Sequence, residues 1–336
     1  MKAIYGALAL GAALSMSALV PAAMAQDFYE GKTVTVILPH TPAGGHGHYS
    51  RMIQPFLQKH LKAKEVRLEF HAGAGSLLGT NLIWKARPDG NTIGFVVAAA
   101  PAMAQLAESP GVQFNFPEFV FLGNAIQEPK AIWVGKDSKF QDAKALVNSK
   151  EEFRSASQGT DDDFYAMNVI AKTLNFPIKF ITGYEGEADI FLATIKGDSD
   201  GYMSSYTNQR AAMENGEINM LLAMAPEPIP QVPNAPSVLS LVPEGTDTTA
   251  LRTIMNVQLS GRAFIGPPGM DPEAVEAMRA GIKAALEDPE LQKIAAEQQR
   301  PIVWVSGESD QEKAKQIGEG ATALTPILKE AVEQIR

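Results

Sequence analysis

The sequence predicts an α/β protein of two lobes with a ligand cleft between them. Three observations lead there. Strand-type runs alternate with helix-length stretches about every 30 residues, the spacing of βαβ units. This alternation occurs in two separate series, near 33–97 and near 131–224. A connection at 226–236 carries five prolines and no regular period, so it reads as a surface link near a hinge, after which α/β signals resume.

The elements follow in order. Residues 33–38 form a β-branched apolar run. Val66, Leu68 and Phe70 alternate with Arg67 and Glu69, and 93–97 is a third strand. Helical stretches at about 46–61 and 76–87 lie between them, and Pro88-Asp89-Gly90 turns the chain into the third strand. In the second series 131–134, 178–181 and 220–224 read as strands, with helices at 161–174 and 187–196 and a short strand at 202–204. Beyond the hinge come a strand at 263–265, a helix at 272–286 and a strand at 302–305. Asp271 can cap that helix, Pro272 suits its first position, and Val275, Met278, Ile282 and Leu286 share one face. Asp288-Pro289-Glu290 begins another helix the same way, and Ser309-Asp310-Gln311-Glu312 reads as a capping box for the last one. The expected boundaries are residues 26–125 with 225–336 for the first lobe and 126–224 for the second. A parallel α/β sheet binds ligands beyond the carboxyl ends of its strands, so the loops there are the place to look.

Residues 1–25 read as a cleavable export signal. Lys2 is followed by an apolar stretch diluted with Gly, Ala and Ser, and Ala23-Met24-Ala25 gives the small-x-small cleavage pattern. The protein is therefore expected in the periplasm. The chain has no cysteine, which excludes a lipid anchor of the lipoprotein type, disulfides and thiolate metal sites. The formal charge is −9 with no basic block, so nucleic acid and anionic membranes are poor partners. A monomer is expected.

Three loops are rich in small residues. The first is 39–45, with His40, Thr41, Ala43, Gly44 and Gly45; the second is 71–76, with Gly75 and Ser76; the third is 155–160, with Ser157, Gln158 and Thr160. Each precedes an expected helix. Small residues let a ligand approach the backbone, and the N–H groups at a helix start donate to an anion such as a carboxylate. Such turns also favour glycine for purely structural reasons, but three in equivalent positions point to binding.

Other chemistries fit less well. The run from Gly73 to Gly79 approximates a dinucleotide fingerprint with one residue too many, and no acid follows the next strand; the phosphate-loop Gly-Lys-Ser/Thr is missing. No G-x-S-x-G elbow or other catalytic set stands out, so neither an enzyme nor a cofactor is expected. All five histidines fall between His40 and His71. The cluster His40, His46, His48 and His71 raises a metal or metal-chelate receptor as the alternative, although its spacing matches no metal signature. If His40, His46 or His48 pairs with an anionic ligand, affinity should fall as pH rises through about 6.5. Asp161 and Asp163 flank Asp162 at a helix start, where capping is the structural role and accepting from ligand hydroxyls the functional one. Tyr184 and Ser204 lie at second-lobe loops and complete the candidate contacts.

From Asp27 onwards the chain resembles the solute receptors of tripartite tricarboxylate transporters, also called Bug receptors. The resemblance rests on 31–37 followed by Pro42-Ala43-Gly44-Gly45 and Arg51, on Gly73-Ala74-Gly75-Ser76 followed by Arg87-Pro88-Asp89-Gly90, on 159–163, on 182–186, on Pro233-Asn234-Ala235-Pro236 and on Pro267-Pro268-Gly269, in that order. It implies a two-lobed periplasmic binding protein fold of type II-like form. It also implies capture of a small organic acid, its carboxylate held largely by backbone groups and water between the first two glycine loops, and delivery to the membrane components of such a transporter. One departure stands out: the family often has an Asp shortly after the first glycine loop, where Gly47 or His48 stands in this chain.

Overall fold

Runs of Val and Ile flanked by turn residues become the strands of two separate sheets in the computed structural model, which describes residues 27–334. The expected export signal lies outside the described residues. The first sheet begins with β1 (Thr33–Leu38), α1 (Gly45–Leu61), β2 (Glu65–Phe70), α2 (Leu77–Trp84) and β3 (Thr92–Val97). Then come α3 (Ala99–Leu106) and β4 (Val120–Ile126). The chain crosses to a second sheet through β5 (Lys130–Gly135), α4 (Ala143–Val147), β6 (Phe153–Ala156), α5 (Asp162–Leu174), β7 (Ile178–Ile181), α6 (Glu187–Lys196), β8 (Gly201–Ser205), α7 (Tyr206–Glu214) and β9 (Ile218–Met224). It returns by way of α8 (Thr249–Gln258) into β10 (Arg262–Gly266), and ends with α9 (Pro272–Leu286), α10 (Pro289–Glu297), β11 (Val305–Ser306), α11 (Gly307–Gly320) and α12 (Thr325–Gln334).

The strand orders are β11-β4-β10-β3-β1-β2 and β7-β6-β8-β5-β9. β1 is parallel to β2 and β3, as the βαβ spacing predicts. The sheets as wholes are mixed, however, and not parallel. β10 lies between β3 and β4, antiparallel to both, and β5 lies between β8 and β9, antiparallel to both. These are the two strands on which the chain arrives from the other lobe. Each inserts centrally and against the local direction, a consequence of the double crossing that periodicity does not show.

Helices cover both faces of the strands, so the strands read as apolar runs. On β3, Ile93 and Phe95 face one core cluster and Val96 the other. α9 buries Met278, Ile282 and Leu286 as expected, with Val275 at the edge of the stripe. Each such burial stabilises by roughly 1.5–3 kcal/mol. Asp271 caps α9 by accepting the Glu273 N–H. Asp288 caps α10 and also accepts from Lys59 and His60 of α1, both at 2.7 Å; these hydrogen bonds hold its carboxyl far below the usual range. The largest cluster is shared between the lobes: α5 of the second packs against α3, α8 and α12, joining Phe164 and Ile170 to Met103, Ile254 and Leu328.

Two details differ from expectation. α11 begins at Gly307, so Ser309 lies inside it, and the Ser306 hydroxyl accepts the Ser309 N–H at 3.3 Å in the capping role. The strand expected at 302–305 is reduced to β11 at Val305–Ser306, because Val303 ties to the Ala125 carbonyl at 2.9 Å ahead of any ladder. β4, β6, α3, α4, α7 and α8 have no counterpart among the elements expected from sequence.

At the return crossing Gly261 has φ +64°, and a Cβ there would stand 1.9 Å from the Ile126 carbonyl oxygen. Gly261→Ala should therefore lower the unfolding free energy by about 2 kcal/mol or more, from left-handed strain together with steric overlap. Urea unfolding measures this, and an unchanged midpoint would refute it.

Candidate ligand site between the lobes

The loop after β1 runs straight into α1. Its cap residue, Gly44, has no side chain to accept a hydrogen bond, and the first turn holds no acid. The leading N–H groups of a 17-residue helix are thus left for something else, at the positive end of its dipole. Gly44, Gly45 and His46 line a cavity of about 100 Å³ between the lobes.

His46 is buried in this first turn. Its Nε2 donates to the Phe95 carbonyl at 2.7 Å, and its ring stacks on Phe95 with centroids 4.6 Å apart. The carbonyl requires the proton on Nε2, which leaves Nδ1 as a bare acceptor; that atom is sealed from water and has no partner. His40 lies beside it, ring centroids 4.5 Å apart, with its own Nε2 sealed and unpartnered. Burial pushes the His40 imidazole down to about 4. Burial, reinforced by His40 and Arg262, drives His46 well below the ordinary value. Both rings are neutral at physiological pH.

The facing wall is rich in charge. Lys130 of β5 lies between the carboxylates of Asp162 and Asp163 at the start of α5. Burial opposes its charge, but the two acids raise its pKa overall. Burial, with Asp162 and Asp161 nearby, raises Asp163 well above the carboxylate range. Asp161 caps α5 by accepting the Phe164 N–H at 2.8 Å; burial and the Asp162 charge push it up to about 6. Arg262 of β10 pairs with Glu128 at 2.8 Å, and both side chains are about one-tenth exposed or less. Burial works against the Glu128 charge, but Arg262 and Thr207 bring its carboxyl below the ordinary value. Removing one partner of such a pair costs about 3–5 kcal/mol, because the other charge is stranded. Glu187 opens α6, and its carboxylate accepts from the Ser204 hydroxyl, from Gln209 Nε2 at 2.8 Å and from Asn208 Nδ2 at 3.0 Å. Asn208 in turn accepts from Arg300 of the first lobe at 3.2 Å.

Of the residues singled out by sequence, His40, Thr41, Ala43, Gly44, Gly45, His46, Gln158, Asp163 and Ser204 line the cavity. The others are placed elsewhere. His48 turns to Gln298 Oε1 at 2.6 Å, and His71 to Glu69 at 3.5 Å. The Ser157 hydroxyl closes a turn on Gly159. Ser76 is buried, its carbonyl accepting from Thr80, and Tyr184 packs on the cluster around Trp133. Gly75 meets the other lobe directly: a Cβ there would stand 2.5 Å from the Thr160 carbonyl oxygen. The histidines therefore form no four-membered cluster, and among the described residues no group of three or more His, Asp or Glu is placed to hold a metal. Burial also lowers the pKa of His40 and His46 below the 6.5 at which a histidine–anion pair is expected to titrate. Sequence reasoning missed Glu128, Lys130, Glu187, Asn208 and Arg262. The first two flank the outward crossing and Arg262 follows the return one, and no local spacing links them.

A family model described as the tripartite tricarboxylate transporter family receptor matches residues 50–332. The chain belongs to that family. It is 24% identical over 304 residues to a UPF0065 protein in the tcbD-tcbE intergenic region of Pseudomonas sp. (strain P51), covering 84% of this chain and 87% of that one. Among solved structures it is similar to the periplasmic binding protein BugD, with TM-score 0.71 and 19% identity over 90% of this chain and 98% of that one. It is also similar to MatC of Rhodopseudomonas palustris with bound malate, with TM-score 0.70 and 17% identity over 88% and 99%. These likenesses bear out the two-lobed periplasmic binding protein fold.

Because the folded-state pKa of His40 lies below the unfolded value of about 6.5, the unfolded chain takes up a proton first. Stability contributed by neutral His40 is therefore lost as pH falls from about 6.5 towards about 4. Ring-nitrogen NMR at pH 5.5 should show His40 unprotonated, and over that window His40→Gln should lose less stability than the wild type. Titration of the His40 ring near 6.5 would contradict its burial.

Proposed function

We propose that this protein is an exported periplasmic receptor that captures a small organic acid between its lobes and presents it to the membrane components of a tripartite tricarboxylate-type transporter. The observation that carries the reading is the start of α1: a long helix opens, uncapped by any side chain, into the interlobe cavity. Backbone N–H groups at a helix start suit a carboxylate in both geometry and sign. Family membership supports the role, and the malate in MatC is a dicarboxylate. Among the described residues no helix is long and apolar enough to cross a membrane.

The ligand would act by population shift. Contacts to both walls favour the closed arrangement, in which Gly75 touches Thr160. Binding is the whole activity in this reading. The metal-chelate alternative loses its support because the four histidines are divided among three environments.

Titration calorimetry against mono-, di- and tricarboxylates, with and without amino groups, should find at least one that binds; silence across the panel from folded protein would refute the proposal. For whichever acid binds, Gly75→Ala should weaken affinity about tenfold or more by holding the lobes apart. Undiminished affinity in that variant would contradict closure at this contact.

A further inference from the structure

The cavity between the lobes carries more negative than positive charge, and the imbalance has a definite location. Its two cations are already paired, Arg262 through Nη1 with Glu128 and Lys130 with the Asp162–Asp163 pair, although the Arg262 Nε has no partner. His40 and His46 are neutral and contribute no charge. Glu187 remains. Its carboxylate is held only by neutral donors, Ser204, Asn208 and Gln209, and among the described residues no Lys or Arg nitrogen lies within ion-pair distance of it. It also stands at the mouth of α1, with its Oε2 3.4 Å from where a Cβ on Gly44 would be. A ligand carboxylate received at the start of α1 would therefore lie next to Glu187 and be repelled by it.

A second, independent observation concerns donors. His46 is 6% exposed and lines the cavity, yet its Nδ1 is an acceptor without a partner. His40 Nε2, also at the cavity, is likewise unpartnered. A buried acceptor left unmatched is costly, so N–H groups on a ligand can satisfy His46 Nδ1, while a carboxylate oxygen suits the unpartnered Arg262 Nε of the same cavity. A purely anionic acid satisfies neither requirement. An ammonium close to the carboxylate satisfies both, with a positive charge for Glu187 and three donors for the surrounding acceptors.

We infer that the acid taken by this site is zwitterionic, its carboxylate at the start of α1 and its ammonium against Glu187. This rests on the organic-acid reading above and narrows it to amino-substituted carboxylic acids. Glu187 is then the residue that sets specificity, excluding acids without the amine by leaving its own charge unmatched.

The test is calorimetry at neutral pH with matched pairs: alanine and propionate, aspartate and succinate, glutamate and glutarate, 4-aminobutyrate and butyrate. In at least one pair the amino member should bind about tenfold or more tightly than its amine-free partner. Glu187→Gln should reduce that preference about tenfold, by weakening the amino member and strengthening its partner. Amine-free acids that bind as tightly as their amino partners in every pair would overturn this inference and leave the organic-acid receptor standing. Silence from both members of every pair would overturn this inference, and would overturn the organic-acid reading with it only if the wider carboxylate panel is silent too. The wild-type comparison decides the matter even if the variant folds poorly.

Discussion

Two backbones meet without an intervening side chain where Gly75 of the first lobe faces the Thr160 carbonyl of the second, and the arrangement of the cleft depends on that contact. A methyl group at Gly75 would stand 2.5 Å from the oxygen, and the residue holds φ +60°, where L side chains are strained. A second contact repeats the logic: a Cβ on Gly45 would overlap the Asn208 amide. Small residues in the interlobe loops thus set how closely the walls approach. This closeness brings the start of α1 opposite Glu187 and keeps the cavity to about 100 Å³. Larger loop residues would hold the same helices apart and leave an open groove.

Charge placement follows from the same closeness. Ion pairs such as Arg262–Glu128 are costly to bury and worth little net stability, yet costly to break. Their value in this cleft is geometric. They fix the strands on which the chain enters each sheet, β5 through Lys130 and β10 through Arg262, against the helix starts and crossings around the cavity. Arg300 lies over the Tyr49 ring and reaches Asn208, tying the end of α10 to α7 across the cleft. Once these pairs are closed, the open start of α1, the Glu187 carboxylate and the unpartnered His40 Nε2, His46 Nδ1 and Arg262 Nε are left to meet a ligand.

Much of the scaffold was legible because local rules produce it. The alternation at Val66, Leu68 and Phe70, the Asp271 and Asp288 caps and the α9 stripe are short-range patterns, and each appears close to its expected place. Half of the site was legible for the same reason: the glycine loop and the helix after it are contiguous from His40 to His46. The other half depends on long-range approach. Arg262 and Glu128 are 134 residues apart, and Lys130 meets Asp162 and Asp163 across more than 30. No spacing rule pairs them. The histidines misled for a related reason. Proximity in sequence suggested a cluster, but α1 turns His48 outward while His46 is driven inward onto Phe95, where burial keeps it neutral.

The most direct measurement is a crystal structure of the protein with an acid it binds in solution. The geometry requires the ligand carboxylate within about 2.7–3.2 Å of the backbone N–H groups of Gly45 or His46. Gly75 should remain closed on Thr160 in that complex. A carboxylate bound against Lys130 instead, or a ligand held with the Gly75–Thr160 contact open, would contradict carboxylate capture at the start of α1.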